Sequence, residues 1–186
     1  MRSSYRENNY GQFFSALVAV HKPKVIVECG VLYGYSLASI ASSAMFFAER
    51  IVAYDLFEDY QYTKAHRASV EESLDNWGLL HIVELVKQDA VEAAKNHEDG
   101  SIDFLHIDIG NDAEKLGNMF DVWTRKMKVG GIVIFEGGSF ERDQVEWMIK
   151  YNRPPIANFI QTLKNRGFEH MTMVPFPSVT LCRKYQ

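Results

Sequence analysis

Clustered Lys and Arg, long apolar runs and cysteine are all scarce in this chain of 186 residues. Its 20 basic residues are outnumbered by 24 acidic ones, for a formal net charge of -4. None of the basic residues gather into a stripe that could follow a phosphate backbone, so nucleic acid is not expected as a partner. No apolar run approaches the roughly 20 residues that cross a bilayer, and no membrane span is expected. Phe13 to Val20 is short and follows the polar run Asn8-Asn9-Tyr10-Gly11. It reads as an amphipathic N-terminal helix with Phe13, Phe14, Leu17 and Val18 on one face, not as a secretion signal. Only Cys29 and Cys182 are present, both inside expected strands. Two such residues suit buried, reduced thiols in a cytoplasmic protein better than a disulfide scaffold.

What is present is a core. Apolar residues make up 47% of the chain, enough for one domain over residues 1–186, with 1–22 as a helical N-terminal segment. From residue 24 onward, short β-branched runs alternate with segments of helical period. Strands are expected at 25–27, 51–54, 82–86, 102–107 and 132–135. Helices are expected at 36–47, 63–77, 91–95 and 112–127, the last stopped by Gly130-Gly131. The strands are apolar nearly throughout, as in a parallel sheet covered on both faces. Alternating β and α units give an α/β, doubly wound, Rossmann-like fold. The ending differs. After a helix at 156–163, the runs 168–174 and 179–183 are joined only by Pro175-Phe176-Pro177-Ser178. That link is too short for a crossover helix, so these strands should pair antiparallel.

Doubly wound sheets bind ligands beyond the carboxyl ends of their strands. Glu28-Cys29-Gly30-Val31-Leu32-Tyr33-Gly34-Tyr35-Ser36 stands at the first such end. Its glycines let the backbone approach a ligand, and Ser36 is placed to cap the following helix. Asp55 ends the second strand, where an acid can accept hydrogen bonds from both ribose hydroxyls, with Leu56 beside it. Asp89 follows the third strand and suits either an adenine amine or a helix cap. A nicotinamide cofactor would call for Gly-x-Gly-x-x-Gly against its pyrophosphate. Here the spacing is Gly-x-x-x-Gly with the bulky Leu32 and Tyr33 between, which suits S-adenosylmethionine, a ligand without a pyrophosphate. An NAD-dependent dehydrogenase is accordingly a distant alternative.

The run from Val27 to Leu37 closely resembles the first motif of the catechol and caffeoyl-coenzyme-A O-methyltransferase family, within the class I methyltransferases. The resemblance covers about residues 24–137, taking in Asp55, Asp89 and Lys128-Val129-Gly130-Gly131. It implies a seven-stranded sheet, mostly parallel, ending in the antiparallel hairpin. It also implies that Glu28, Gly30, Tyr33, Gly34 and Ser36 line the methionine part of S-adenosylmethionine, Asp55 and Leu56 the ribose, and Asp89 with Ala90 the adenine. S-adenosylhomocysteine would be the product. That family holds a divalent metal through an Asp after the fourth strand and an Asp-Asn pair after the fifth. Asp108 stands at the first place and Glu136-Gly137 at the second, while Asn111 replaces the family's lysine. Ile107-Asp108-Ile109-Gly110-Asn111-Asp112 also resembles the magnesium-dependent macrolide-sugar and cephalosporin-biosynthesis O-methyltransferases, with that group's second Asp and His replaced.

Hard oxygen ligands from Asp108 and Glu136, with Asp112 as a third, would suit Mg²⁺. Bound there, the ion would lower the pKa of an acceptor hydroxyl. Asp108 could instead contact the cofactor, and Asp112 could take the acceptor's proton or simply cap its helix. His106 reads as an interior histidine, His66 and His97 as exposed ones, and Tyr60 and Tyr62 as walls of an adenine pocket. The segment 137–157 carries Arg142, Asp143, Trp147, Tyr151 and Arg153, of which Arg142, Trp147 and Arg153 suit an anionic or sugar-like acceptor. The expectation is an O-methyltransferase of a small hydroxylated metabolite, a sugar or a natural-product intermediate. The alternatives are a metal-independent methyltransferase and a catalytically silent S-adenosylmethionine-binding subunit. A homodimer could form through the N-terminal helix or the segment after the fifth strand.

Overall fold

The computed structural model describes residues 3–60, 65–110 and 112–186. In chain order the elements are α1 (Ser4–Glu7), α2 (Tyr10–His21), β1 (Val25–Cys29), α3 (Tyr35–Ala44), β2 (Arg50–Asp55) and α4 (Arg67–Asn76). They continue with β3 (Val83–Lys87), α5 (Ala90–Ala93), β4 (Ile102–Ile107), α6 (Ala113–Trp123) and β5 (Met127–Glu136). The chain ends with α7 (Phe140–Asp143), α8 (Glu146–Lys150), α9 (Ile156–Ile160), β6 (Phe168–Met173) and β7 (Val179–Lys184). The strands form a seven-stranded sheet in the order β3-β2-β1-β4-β5-β7-β6. The backbone gathers into two compact units, Met1–Ala93 and Ala94–Gln186.

In the first unit β1 pairs parallel with β2, Val25 opposite Arg50 and Cys29 opposite Tyr54. β2 in turn pairs parallel with β3, ending at Asp55 opposite Lys87. Buried Ile26, Val27, Val52 and Ala53 make the apolar strands the sequence pattern requires. The N-terminal helix is there, but its buried face is Tyr10, Gly11, Phe14 and Val18. It lies on α3 at close range. The Ser15 hydroxyl donates to the Ser39 carbonyl (2.8 Å), and the Ser43 hydroxyl to the Ser15 carbonyl (2.8 Å). A side chain at Gly11 would meet the Ser39 and Tyr35 hydroxyls at 2.7 Å. This face is therefore packed inside the unit. α4 runs from Arg67, and the earlier start expected at Thr63 lies outside the described residues, as does Tyr62.

In the second unit β4 pairs parallel with β5, and β5 pairs antiparallel with β7, Glu136 opposite Val179. β6 pairs antiparallel with β7, which is the hairpin expected from the four-residue link. Phe120 of α6 anchors the core, its ring 4.8 Å from Phe159, 5.4 Å from Phe168 and 5.9 Å from Phe135, all edge-on. One boundary departs from expectation. Gly130-Gly131 does not stop a helix, because α6 has already ended at Trp123 and β5 begins at Met127. The glycines lie inside the strand, with Gly130 at φ 85°. There the register shifts: Ile102 faces Met127, but Phe104 faces Ile132. The bulge takes up the surplus residues.

Candidate active site

In the first unit the candidate residues gather around the turn that follows β1. Gly30 donates to the Tyr54 carbonyl (2.8 Å), and Gly34 donates to the Val31 carbonyl (2.8 Å), closing the turn. Gly30 at φ 89° and Gly34 at φ 78° occupy left-handed backbone that explains the choice of glycine at both ends. Leu32 is held between them at φ 50°, a conformation uncommon for a side chain of its size. Ser36, expected as a helix cap, is not one. Gly34 is the N-cap of α3 and offers no side chain. The Ser36 hydroxyl, already inside the helix, donates instead to Glu28 Oε1 at 2.5 Å, and Glu28 is fully enclosed. The N-cap residue of α3 therefore supplies no side-chain cap among the described residues, which leaves the opening N–H groups suited to a ligand carboxylate.

Asp55 holds this turn in place. Its Oδ2 accepts from the backbone N–H of Val31 (2.6 Å) and Leu32 (3.1 Å), and its Oδ1 from Phe57 (2.6 Å). A carboxylate has about four lone-pair positions. With three taken, one remains for a ligand hydroxyl. Leu56 and Tyr60 are half-buried next to it in the chain, and Tyr33 is half-buried in the turn. Asp89 is exposed, and its Oδ1 accepts from the N–H groups of Val91 (2.9 Å) and Glu92 (3.1 Å). It caps α5, with Ala90 buried behind it. Burial, reinforced by the nearby charge of Glu28, pushes the Cys29 thiol well above the ordinary thiol range.

The second unit presents a different chemistry. Asp108 is half-buried directly after β4, and Asn111 lies outside the described residues. Asp112 is the N-cap of α6, accepting from the Lys115 N–H at 2.9 Å through Oδ1. Its other oxygen is enclosed and stands 4.0 Å from Arg153 Nη1. Glu136, at the end of β5, accepts from Arg142 Nε at 2.7 Å, and both side chains are buried. The Arg142 guanidinium lies 5.2 Å from the centroid of the half-buried Trp147 ring.

These arrangements do not fit the magnesium set of Asp108, Glu136 and Asp112. One carboxylate is neutralised by a guanidinium and another is committed to a cap. Among the described residues no group of three His, Cys, Asp or Glu side chains could hold a metal ion.

One other expectation changes. His97 is buried, not exposed, its ring 5.4 Å from that of Trp123 in α6, which covers it. Asp143 escaped the sequence reading as a structural residue. It accepts from the N–H groups of Ile156 (2.7 Å) and Ala157 (3.1 Å), caps for α9 that Pro155 cannot supply. The thirteen-residue separation leaves no local signal for it. The Glu136–Arg142 pair was equally hidden, because each residue was read for a ligand and not for the other. His106 is interior and His66 exposed, as expected.

Comparison with known proteins narrows what this arrangement is for. A family model described as a methyltransferase domain matches residues 27–136, more than half of the chain. A flavonoid 3',5'-methyltransferase from Vitis vinifera is 28% identical over 152 residues. That alignment takes in 77% of this chain and 61% of the relative, so the chain spans less than two thirds of that protein's length. The fold matches the O-methyltransferase TomG of Streptomyces achromogenes, solved in complex with SAM, with a TM-score of 0.72 at 16% identity. That match covers 98% of this chain and 86% of TomG. The SAH-bound methyltransferase PaMTH1 of Podospora anserina matches with a TM-score of 0.72 at 16% identity, over 100% of this chain and 80% of that one. Among the described residues no helix is long and apolar enough to cross a membrane. On the match over residues 27–136, which runs from the strand before the glycine turn to the glutamate that ends β5, the chain belongs to the methyltransferase-domain family.

Proposed function

We propose that this chain is an S-adenosylmethionine-dependent O-methyltransferase acting on a small hydroxylated acceptor without a divalent cation. The observation that carries the reading is the turn from Gly30 to Gly34, latched by Asp55 and leading into an α3 that no side chain caps. The open helix end suits the carboxylate of the methionine part. The buried Glu28–Ser36 pair forms the floor beneath it, and Glu28 supplies negative charge toward the ammonium and sulfonium. Asp55 takes one ribose hydroxyl on its remaining lone pair, with Leu56 and Tyr33 as apolar walls. Asp89 and Ala90 lie near the adenine, with Asp89 chiefly fixing α5.

When bound, the cofactor supplies an activated methyl group on a cationic sulfur. Little covalent work is left to the protein, and most of the rate comes from bringing the acceptor oxygen into line with that methyl. Asp108 orients the acceptor, while Asp112 keeps α6 and Arg153 in position. Arg142, Trp147 and Arg153 form the acceptor side. The chemistry of the pair at Glu136 favours the metal-free form, because the carboxylate best placed for an ion already has a cation. The enclosed, unbridged Cys29 and Cys182 suit a reducing cytoplasmic setting.

Calorimetric titration with S-adenosylmethionine tests the reading. Micromolar binding is expected, weakened at least tenfold (about 1.4 kcal/mol) by Asp55→Ala. No binding to the wild-type protein would leave the glycine turn a purely structural feature and end this reading. Turnover abolished by EDTA and restored by Mg²⁺ would reject the metal-free form alone.

A further inference from the structure

The sheet has two edge strands, β3 and β6, and they are built differently. β3 carries exposed Glu84 and Lys87, charges of the kind that blunt a sheet edge. β6 has no proline and no lysine between Phe168 and Met173, and it pairs with β7 without a bulge. Its Glu169 is drawn toward Arg183 of β7, 3.7 Å away, while Met171 is 53% exposed.

The ladder shows which backbone groups this edge offers. Tyr185 donates its N–H to the Gly167 carbonyl (2.9 Å), so those two residues form a hydrogen-bonded pair. Hydrogen-bonded and open pairs alternate along an antiparallel ladder. Glu169, Met171 and Met173 therefore bond to β7, while Phe168, His170 and Thr172 turn their backbone groups outward. In agreement, the Phe168 N–H leaves the ladder and donates to the Leu163 carbonyl (3.0 Å). The N–H and C=O groups of His170 and Thr172 have no backbone partner among the described residues.

We infer that β6 pairs antiparallel with β6 of a second copy of this chain, about a two-fold axis at Met171, joining two sheets into one. His170 of each copy then faces Thr172 of the other, and every N–H and C=O left open at these residues finds a partner. Other centres do worse. One at Glu169 would set two carboxylates on residues whose Cα atoms are about 4.5 Å apart. One at His170 would set Thr172 against Phe168, whose N–H is already used. Centring on Met171 lays that exposed side chain on its own copy and sets Glu169 against Met173, so no like charges meet. The contact is isologous and closes at two copies. Its area is that of one strand pair, so association of about micromolar strength is expected. β5 and β6 both pair antiparallel with β7 and so run the same way. The β5 ends that carry Glu136 therefore point to opposite ends of the joined sheet.

Sedimentation equilibrium of the full chain tests the inference, and a dimer is expected. His170→Pro removes an N–H that β7 does not use, a change an edge strand tolerates. It should weaken association at least tenfold while the circular dichroism stays that of the wild type. Met171→Lys brings two cations together at the axis and should weaken association by as much. Oxidation with copper phenanthroline reads the register. Met171→Cys should give a disulfide-linked dimer, and Glu169→Cys, set away from its own copy, should not. Cys29 and Cys182 are buried and take no part. A chain still monomeric at about 100 µM, a hundredfold above a micromolar dissociation constant, would overturn the inference. So would a dimer that either variant leaves intact, or a link through Glu169→Cys in place of Met171→Cys.

Discussion

Asp55 carries three backbone N–H groups on two oxygens, and its chemistry limits what can replace it. Asparagine has the same shape but only one accepting atom, so one of its ends would turn an amide donor toward a backbone donor. Asp55→Asn is therefore expected to rescue nothing. It should destabilise the protein by about 1–3 kcal/mol, as Asp55→Ala does, because either change leaves backbone donors unmet. Urea unfolding checks this, and an Asn variant of wild-type stability would show that the latch contributes nothing to the fold. The sequence revealed Asp55 as important but only half of its work. Position after a strand points to a ligand contact, whereas the bonds to Val31 and Leu32 depend on how the turn comes back across β2, which no spacing encodes. The same holds for Ser36 and Glu28. The motif points to both as site residues, but their mutual bond follows from the turn that puts Gly34, and not Ser36, at the helix cap.

Elements were legible where period and length agree, as in β4, β6 and β7, and less so where a cap decides the boundary. α6 is the clearest case. Its apolar residues Leu116, Phe120 and Trp123 recur at helical spacing, yet the glycine pair after it belongs to the bulge in β5. Its start is set by Asp112, and Asp112→Ala is expected to cost about 1 kcal/mol through the lost cap. Turnover should change only a few-fold, since the capping oxygen is already occupied. A loss of a hundredfold or more would mean that Asp112 takes the acceptor's proton. A second test concerns the ends of β2 and β3. Lys87 at the end of β3 reaches Glu58 (2.6 Å) and Asp59 (2.9 Å), beyond the end of β2. The hydrogen bond from Lys87 holds the Glu58 carboxyl at about 2, below its ordinary value of 4.5. A depressed carboxyl stabilises the fold above its ordinary value and loses that contribution as pH falls toward 2. Glu58→Gln should therefore lower the urea midpoint at pH 7 and make little difference near pH 2. The effect is small, because the pair is exposed. An equal effect at both pH values would mean that Glu58 acts through packing.

At the scale of the whole molecule, the fold class follows from the alternation of strands and helices, while the candidate residues fall in both units. The latched glycine turn lies in Met1–Ala93, and the guanidinium–carboxylate pair lies in Ala94–Gln186. Asp108, Glu136 and Asp112 do not fit a metal site at this scale for a physical reason. A strand-end acid has the same sequence signature whether it meets an ion or an arginine, and only the fold brings Arg142 back to Glu136. The donor ligand offers a global test. At a hundredfold excess over its dissociation constant it should stabilise the folded protein by about 2.7 kcal/mol. For a chain of this size that corresponds to a rise in Tm of about 5–10 °C. Amide exchange should localise the effect, slowing at residues 30–37 and 55–57, where N–H groups gain a ligand or a tighter latch. A Tm rise accompanied by protection confined to Ala94–Gln186 would place the donor away from the glycine turn. The glycine turn would then lose its proposed role in holding the donor.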